Sequence, residues 1–158
     1  MNRAHKAVPM SELSPVIVEL VNSGTDVVFT VVGNSMRPLW TSYRDTVVLT
    51  KCDGNALKKG DVPLYIRDNG AYVLHRIIKE HSDTYDMSGD HQSELEKGVS
   101  KDNILCVVKA FTKNGKYHTC DEFGYKIYSF LWVSLFGLRG PIIKIYRFVR
   151  NLFKGSKK

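Results

Sequence analysis

The chain has 158 residues, a length that suits one domain with room for an appendage. Hydrophobic residues make up 43% of it and the formal net charge is +7, a composition that excludes wholesale disorder. The charge is uneven, because residues 123–158 carry eight basic side chains and no acidic one, whereas residues 1–122 carry 15 basic and 16 acidic side chains. We therefore expect the carboxyl-terminal part to meet an anionic surface.

The amino-terminal residues predict a short amphipathic helix within residues 1–25. Ser11 can cap this helix, and Asn22-Ser23-Gly24 ends it. Apolar residues recur between them at helical spacing, at Leu13, Val16, Ile17, Leu20 and Val21. The first fifteen residues have neither the apolar run of a secretory signal nor a membrane span of about 20 apolar residues. This pattern predicts a cytoplasmic protein, or one bound peripherally to the inner face of a membrane.

Residues 26–122 have the pattern of short strands separated by turn residues. Asn69-Gly70 and Asn114-Gly115 each stand between two apolar runs, which indicates hairpins. We predict a polar loop at 91–102 and strands at 26–32, 45–50, 62–67, 72–78, 84–87, 104–111 and 117–119. Together with the amino-terminal helix, these elements predict a mostly β (α+β), barrel-like domain.

Residues 123–158 form a third part with a different pattern. Residues 127–138 are strongly apolar but too short to cross a bilayer as a helix. After Pro141, apolar and basic side chains alternate with the spacing of an amphipathic helix. Such a tail is typical of a peripheral membrane anchor, and its apolar face favours lipid over nucleic acid. The alternative is a helical segment packed on the domain or on a partner protein.

One serine and one histidine have a pattern that suggests chemistry. Ser35 follows a β-branched run and a Gly33-Asn34 turn, so its hydroxyl is predicted at the end of a strand. A serine needs a neighbouring base to become a nucleophile, and the strand-like run at 72–78 carries His75. Without other motifs, Ser35 could equally cap its own turn and His75 could be an ordinary half-buried strand histidine.

Four separated motifs resemble those of the signal peptidase I superfamily, which includes the self-cleaving repressor peptidases. They are Gly-Asn-Ser-Met-Arg-Pro-Leu at 33–39, Leu-Lys-Lys-Gly-Asp-Val at 57–62, Leu-His-Arg-Ile at 74–77 and Ser-Gly-Asp at 88–90. The resemblance spans about residues 26–111. Bacterial signal peptidases and repressor peptidases use a lysine base, whereas the endoplasmic-reticulum and archaeal type has a histidine, which His75 matches.

The resemblance implies a signal-peptidase-like β barrel and a serine endopeptidase that cleaves a leader, signal or precursor peptide through an acyl-enzyme. It implies no metal and no organic cofactor. Carried over to this sequence, Ser35 is the nucleophile and His75 its general base. Asp90 is the first candidate to orient the imidazole, and the Ser35 backbone N–H with the Asn34 side chain would hold the oxyanion.

A second acid remains open among Glu94, Glu96 and Asp102, of which Glu96 has the best spacing. The chain departs from the family where Arg44-Asp45 replaces the usual Gly-Asp, and in lacking an amino-terminal span. These departures keep an alternative open, a catalytically inactive β domain that binds a peptide and docks on a membrane or membrane protein. A self-cleaving regulator is less favoured, since the first 25 residues contain no DNA-binding module.

Overall fold

The computed structural model describes residues 10–141 and residue 145, with side chains described from Pro15 onward. Its helices are α1 (Met10–Asn22) and α2 (Phe123–Ser134), and short 3-10 helices lie at Lys101–Asn103 and Phe136–Leu138. The strands are β1 (Val27–Thr30), β2 (Thr46–Thr50), β3 (Pro63–Ile66), β4 (Tyr72–Leu74), β5 (Arg76–Glu80), β6 (Thr84–Ser88), β7 (Glu96–Ser100), β8 (Ile104–Lys113) and β9 (Lys116–Thr119).

The described chain is mostly β, with an antiparallel sheet that curls into a half-barrel. This six-stranded sheet has the order β1-β2-β8-β3-β4, and β9 also pairs with β8. Register shifts between Val48 and Leu49 and between Leu64 and Tyr65 mark irregularities of the kind that bend strands. Strands β5, β6 and β7 form a second antiparallel sheet. The predicted β-rich α+β fold with an amino-terminal helix is confirmed.

The run at 72–78, predicted as one strand, is divided between the two sheets. Strand β4 ends at Leu74 in the first sheet and β5 begins at Arg76 in the second, so His75 occupies the crossing point. A residue between two sheets is held by pairing on both sides of it. This position fixes the backbone of His75 more firmly than a place in a loop would.

Two apolar clusters hold the elements together. The larger one joins α1, through Ile17 and Val21, to the six-stranded sheet and to the segment after β1 that contains Met36, Leu39 and Trp40. The second lies around Tyr65, on the side of β3 that meets the three-stranded sheet; its buried members are Leu57, Tyr65, Ile77, Tyr85, Met87 and Val99.

The predicted loop at 91–102 is wrong in its second half, because Glu96–Ser100 is strand β7, paired with β6. Only Val99 of this strand is buried, so the sequence lacks the apolar alternation that signals a strand. Backbone pairing with β6 stabilises it instead. A bulge at Gly98, whose φ is 71°, interrupts the register, and the Gly98 N–H donates to the Asp86 carboxylate at 3.1 Å.

Helix α2 overlaps the apolar segment predicted at 127–138, but it begins four residues earlier, at Phe123, and ends at Ser134. The amphipathic helix predicted after Pro141 lies outside the described residues, apart from Ile145. Within the described ranges, no helix combines the length and the hydropathy that a membrane crossing requires.

Candidate active site

Ser35 is held by the apolar residues that follow it. Strand β1 ends at Thr30 and a turn begins at Ser35. Met36, Leu39 and Trp40 are at most 4% exposed, and the Trp40 ring meets Phe111 of β8 edge-on with centroids 5.7 Å apart. These side chains fix the turn in the core while Ser35 itself stays half-buried at the surface.

Asp45 stabilises the end of the same loop. Its fully buried carboxylate accepts the Thr41 N–H at 2.7 Å, the Asn114 N–H at 3.1 Å and two N–H groups of Arg44 at 2.8 and 2.9 Å. The hydrogen bond from Arg44 lowers the pKa of Asp45 to about 2, and burial opposes the shift. The Arg44-Asp45 departure from the family pattern thus keeps an acid that ties the loop to the β8–β9 hairpin.

The Ser-Gly-Asp motif at 88–90 packs directly on Ser35. The His91 N–H donates to the Ser35 carbonyl oxygen at 2.7 Å. A Cβ atom added at Gly89 would lie 2.6 Å from that oxygen and 3.0 Å from the Ser35 Cβ, which no side chain tolerates without a shift. The Ser35 turn and the Ser-Gly-Asp motif therefore form one rigid unit, the Ser35 corner, although Ser35 and Gly89 are 54 positions apart in sequence. Glycine is required at position 89, where the two motifs come closest.

Ser35 and His75 line the same cavity, which has a volume of about 310 Å³. Its walls include Phe29 of β1 and Tyr72 and Leu74 of β4. In the described part of the chain β1 pairs only with β2 and β4 only with β3, so both strands are edges of the six-stranded sheet. The cavity is therefore lined by residues of two strands that each have an unpaired edge.

His75 is buried, at 3% exposure, and its Nδ1 atom lies 3.3 Å from the Tyr65 hydroxyl oxygen. That hydroxyl donates to Glu96 Oε2 at 2.6 Å, and Glu96 Oε2 itself lies 3.8 Å from His75 Nδ1. Because the Tyr65 proton points to Glu96, the Tyr65 oxygen must accept from Nδ1–H of His75. In the neutral imidazole this leaves Nε2 unprotonated, which is the tautomer that a general base requires.

Arg67 holds Glu96 with two parallel hydrogen bonds, of 2.7 Å from Nε to Oε1 and 2.6 Å from Nη2 to Oε2. Although burial raises the pKa of Glu96, the hydrogen bonds from Arg67 and Tyr65 outweigh it and keep the pKa below its usual value. Burial raises the pKa of Tyr65. At neutral pH the series of hydrogen bonds from His75 Nδ1 through the Tyr65 hydroxyl therefore ends on the charged carboxylate of Glu96.

Burial lowers the pKa of His75 to about 4, and the positive charge of Arg67 adds to the effect. The negative charges of Glu96 and Asp90 act in the opposite direction. The imidazole is consequently neutral at physiological pH and able to accept a proton. An acidic partner behind it would also stabilise the imidazolium that forms once the proton has been taken.

Asp90 belongs to another network. Its fully buried carboxylate pairs with Arg76 through two bonds of 2.8 Å and accepts the Tyr128 hydroxyl at 2.9 Å. Arg76 also donates to the Gly60 carbonyl at 2.7 Å and to Ser129 Oγ at 2.8 Å. Asp90 is the first candidate to orient His75, but its carboxylate pairs with Arg76 and with Tyr128 of α2, and the Nδ1–H of His75 donates to the Tyr65 hydroxyl instead.

The other candidate residues lie farther from His75. Asn34, Glu94 and Asp102 are exposed, and none is among the described residues that line the cavity. Sequence reasoning missed Tyr65 and Arg67, although their i, i+2 spacing in and just after β3 was a signal that they share one face. Among residues 10–141, no group of three or more His, Cys, Asp or Glu side chains could hold a metal ion.

Comparison of the chain with protein-family models, with curated proteins and with solved structures finds no match.

Proposed function

We propose that this protein is a serine endopeptidase of the signal peptidase I type, with Ser35 as nucleophile and His75 as general base. The observation that carries the proposal is that Ser35 and His75, 40 positions apart in sequence, line one cavity at the edge of the sheet. The Ser-Gly-Asp motif also contacts this site, since Gly89 packs against Ser35. The motif at 57–62 pairs with the motif that contains His75, since the Ile77 N–H donates to the Asp61 carbonyl at 2.9 Å.

In the proposed reaction, Nε2 of His75 takes the proton from Ser35 Oγ as that oxygen attacks the scissile carbonyl carbon. The backbone N–H of Ser35 would donate to the resulting oxyanion. The imidazolium then returns its proton to the leaving amine as the C–N bond breaks and an acyl-enzyme forms. A water molecule, deprotonated by the same Nε2, then attacks the ester of the acyl-enzyme. Collapse of the resulting tetrahedral intermediate releases the acid and regenerates Ser35.

Glu96 acts as the orienting acid in this proposal, and it acts through Tyr65. The tyrosine hydroxyl accepts from Nδ1–H and donates to Glu96, so it fixes both the ring orientation and the tautomer of His75. Arg67 locks Glu96 in place. The Asn34 side chain, which we had expected to assist the oxyanion, is exposed, so we assign that task to the Ser35 backbone alone.

The proposed substrate is an extended segment of a leader, signal or precursor peptide. Residues of β1 and β4, which each have an unpaired edge, line the cavity, and an extended peptide bound there could pair with either edge. Such pairing forms hydrogen bonds with the peptide backbone and does not depend on its sequence. Selection among substrates would therefore come from the peptide side chains that enter the cavity. The motif resemblance favours small residues near the cut.

The proposal is tested by incubating the full chain with a library of extended peptides and identifying products by mass spectrometry. We expect cleavage by the wild type and none by Ser35→Ala or His75→Ala at matched thermal stability. Products that persist in Ser35→Ala would contradict the assignment of the nucleophile.

A second function is favoured by the same free strand edges, because they can bind a peptide without any chemistry. In that case the protein is a peptide-binding β domain. Peptides that bind with equal affinity to wild type and Ser35→Ala, with no cleavage by either, would support this alternative.

A further inference from the structure

Helix α2 turns its polar side chains toward the body of the protein. Tyr128 and Ser129 bond to the Asp90 and Arg76 network, and the Trp132 indole N–H donates to the Asp90 carbonyl at 3.0 Å. Tyr125 lies 5.7 Å from the Arg76 guanidinium, measured to the ring centroid. Hydroxyl and indole groups thus occupy the face that a soluble amphipathic helix usually fills with aliphatic side chains.

The opposite face of α2 is apolar and open to solvent. Phe123 is 79% exposed and Phe130 is 70% exposed. Further exposed apolar side chains follow at helical spacing along α2 and the segment after it, namely Ile127, Leu131, Leu135 and Leu138. A contiguous stripe of this kind marks a binding surface rather than a solvated helix.

Charge indicates what covers this stripe. Lys126 is the one charged residue within α2, and the sequence from 123 to 158 contains eight basic side chains and no acid. Lys126 pairs with Asp121, just before α2, at 3.2 Å, so the excess of positive charge comes from the other seven basic side chains of this sequence range. Apolar side chains beside an excess of basic ones match the acyl and headgroup layers of an anionic bilayer.

We propose that the outer face of α2 and of the segment after it, from Phe123 to Leu138, docks on the surface of an anionic lipid bilayer. The helix would lie in the plane of the interface, with Phe123 and Phe130 among the acyl chains.

The docked helix is connected to the candidate active site through Arg139. This side chain is 1% exposed, and it donates to the Trp132 carbonyl and, at 3.1 Å, to the carbonyl of Gly89, the residue packed on Ser35. The bilayer would therefore hold the Ser35 corner at a fixed distance from its surface. Lipid binding itself needs no peptidase chemistry, so its test succeeds or fails independently of the function proposed above.

The experiment is flotation of the full chain with vesicles of phosphatidylcholine alone or of phosphatidylcholine with one quarter phosphatidylglycerol. We expect binding to the anionic vesicles that weakens in high salt, and about a tenfold or greater loss of partitioning in Phe123→Ser/Phe130→Ser. Val28→Ser is the matched control, because Val28 is equally exposed, at 67%, but lies on β1.

Three outcomes would overturn the proposal. One is unchanged binding by the double variant, and another is an equal loss in Val28→Ser. The third is a wild type that is dimeric without lipid and a double variant that is monomeric, which would mean that a second copy of the chain covers α2. Circular dichroism and a thermal melt of each variant confirm that it is folded.

Discussion

His75 and Arg76 are adjacent in sequence, yet their side chains enter two separate networks. His75 lines the cavity with Ser35 and bonds to Tyr65, whereas Arg76 is fully buried against Asp90 and α2. Consecutive residues of an extended chain point to opposite sides, which explains the division. Substitutions of the residues that bond to His75 should therefore change the reaction rate. Substitutions of the residues that bond to Arg76 should change the free energy of unfolding.

The charges of Glu96 and Arg67 should set the pH at which the labelling rate falls on acidification. Labelling of Ser35 by an acylating probe should fall on acidification, with a midpoint near the His75 pKa of about 4. Glu96→Gln removes a charge that stabilises the imidazolium, so the midpoint should move to lower pH and the plateau rate should fall roughly tenfold. Arg67→Gln removes an opposing charge, so the midpoint should move to higher pH. Midpoints that shift together in both variants would contradict the arrangement.

Removing the Tyr65 hydroxyl should slow acylation. Tyr65→Phe leaves Nδ1–H of His75 without its acceptor, and we expect a rate loss of about 10- to 100-fold, within the range assigned to general-base catalysis. Tyr85→Phe is the control, because the Tyr85 hydroxyl bonds to the carbonyls of Gly54 and Leu57 away from the cavity. Stopped-flow labelling rates decide the matter, and equal rates in the two variants would exclude a positioning role for Tyr65.

Asp90 should prove to be a structural residue. Asp90→Asn leaves the Arg76 guanidinium buried without its counter-charge, at a cost of about 3–5 kcal/mol in the free energy of unfolding. Chemical denaturation measures this cost, and Asp102→Asn at an exposed site should show none. The folded fraction of Asp90→Asn should keep the labelling rate of the wild type. A stable Asp90→Asn protein that has lost labelling would return the orienting role to Asp90.

Gly89 should be required for the geometry of Ser35. A methyl group at this position meets the Ser35 carbonyl oxygen at 2.6 Å, so Gly89→Ala must displace the turn. A displacement approaching 1 Å costs about a hundredfold in rate. Gly124→Ala in α2, where a Cβ meets nothing within 4 Å, is the control and should label normally. Wild-type labelling by Gly89→Ala would show that the corner is not rigid.

The sequence predicted most of the strands because their signals are local. Alternating apolar residues and the Asn-Gly turns located β3, β8 and β9 within a few residues of their observed ends. The motif order related Ser35 to His75 only through a family resemblance. Composition and spacing alone would have left both residues with ordinary structural interpretations.

The sequence narrowed the acid behind His75 to Glu94, Glu96 and Asp102, with the best spacing at Glu96, but it could not choose among them because the choice depends on long-range pairing. Strand β7 carries Glu96 but buries only Val99, so no apolar pattern marked it as a strand. The role expected for Asp90 depended on its partner, and nothing local indicates that Arg76 would be buried against it. The orientation of α2 was not predicted either, since the apolar run at 127–138 indicated membrane contact or packing on the domain but not which side chains would face inward.

The most direct test of the account is mass spectrometry of the full chain after reaction with a fluorophosphonate probe. The wild type should gain one adduct, mapped to Ser35, and both Ser35→Ala and His75→Ala should gain none while keeping the wild-type thermal melt. A folded wild type that gains no adduct at neutral pH, with anionic vesicles present, would contradict the claim that His75 activates Ser35.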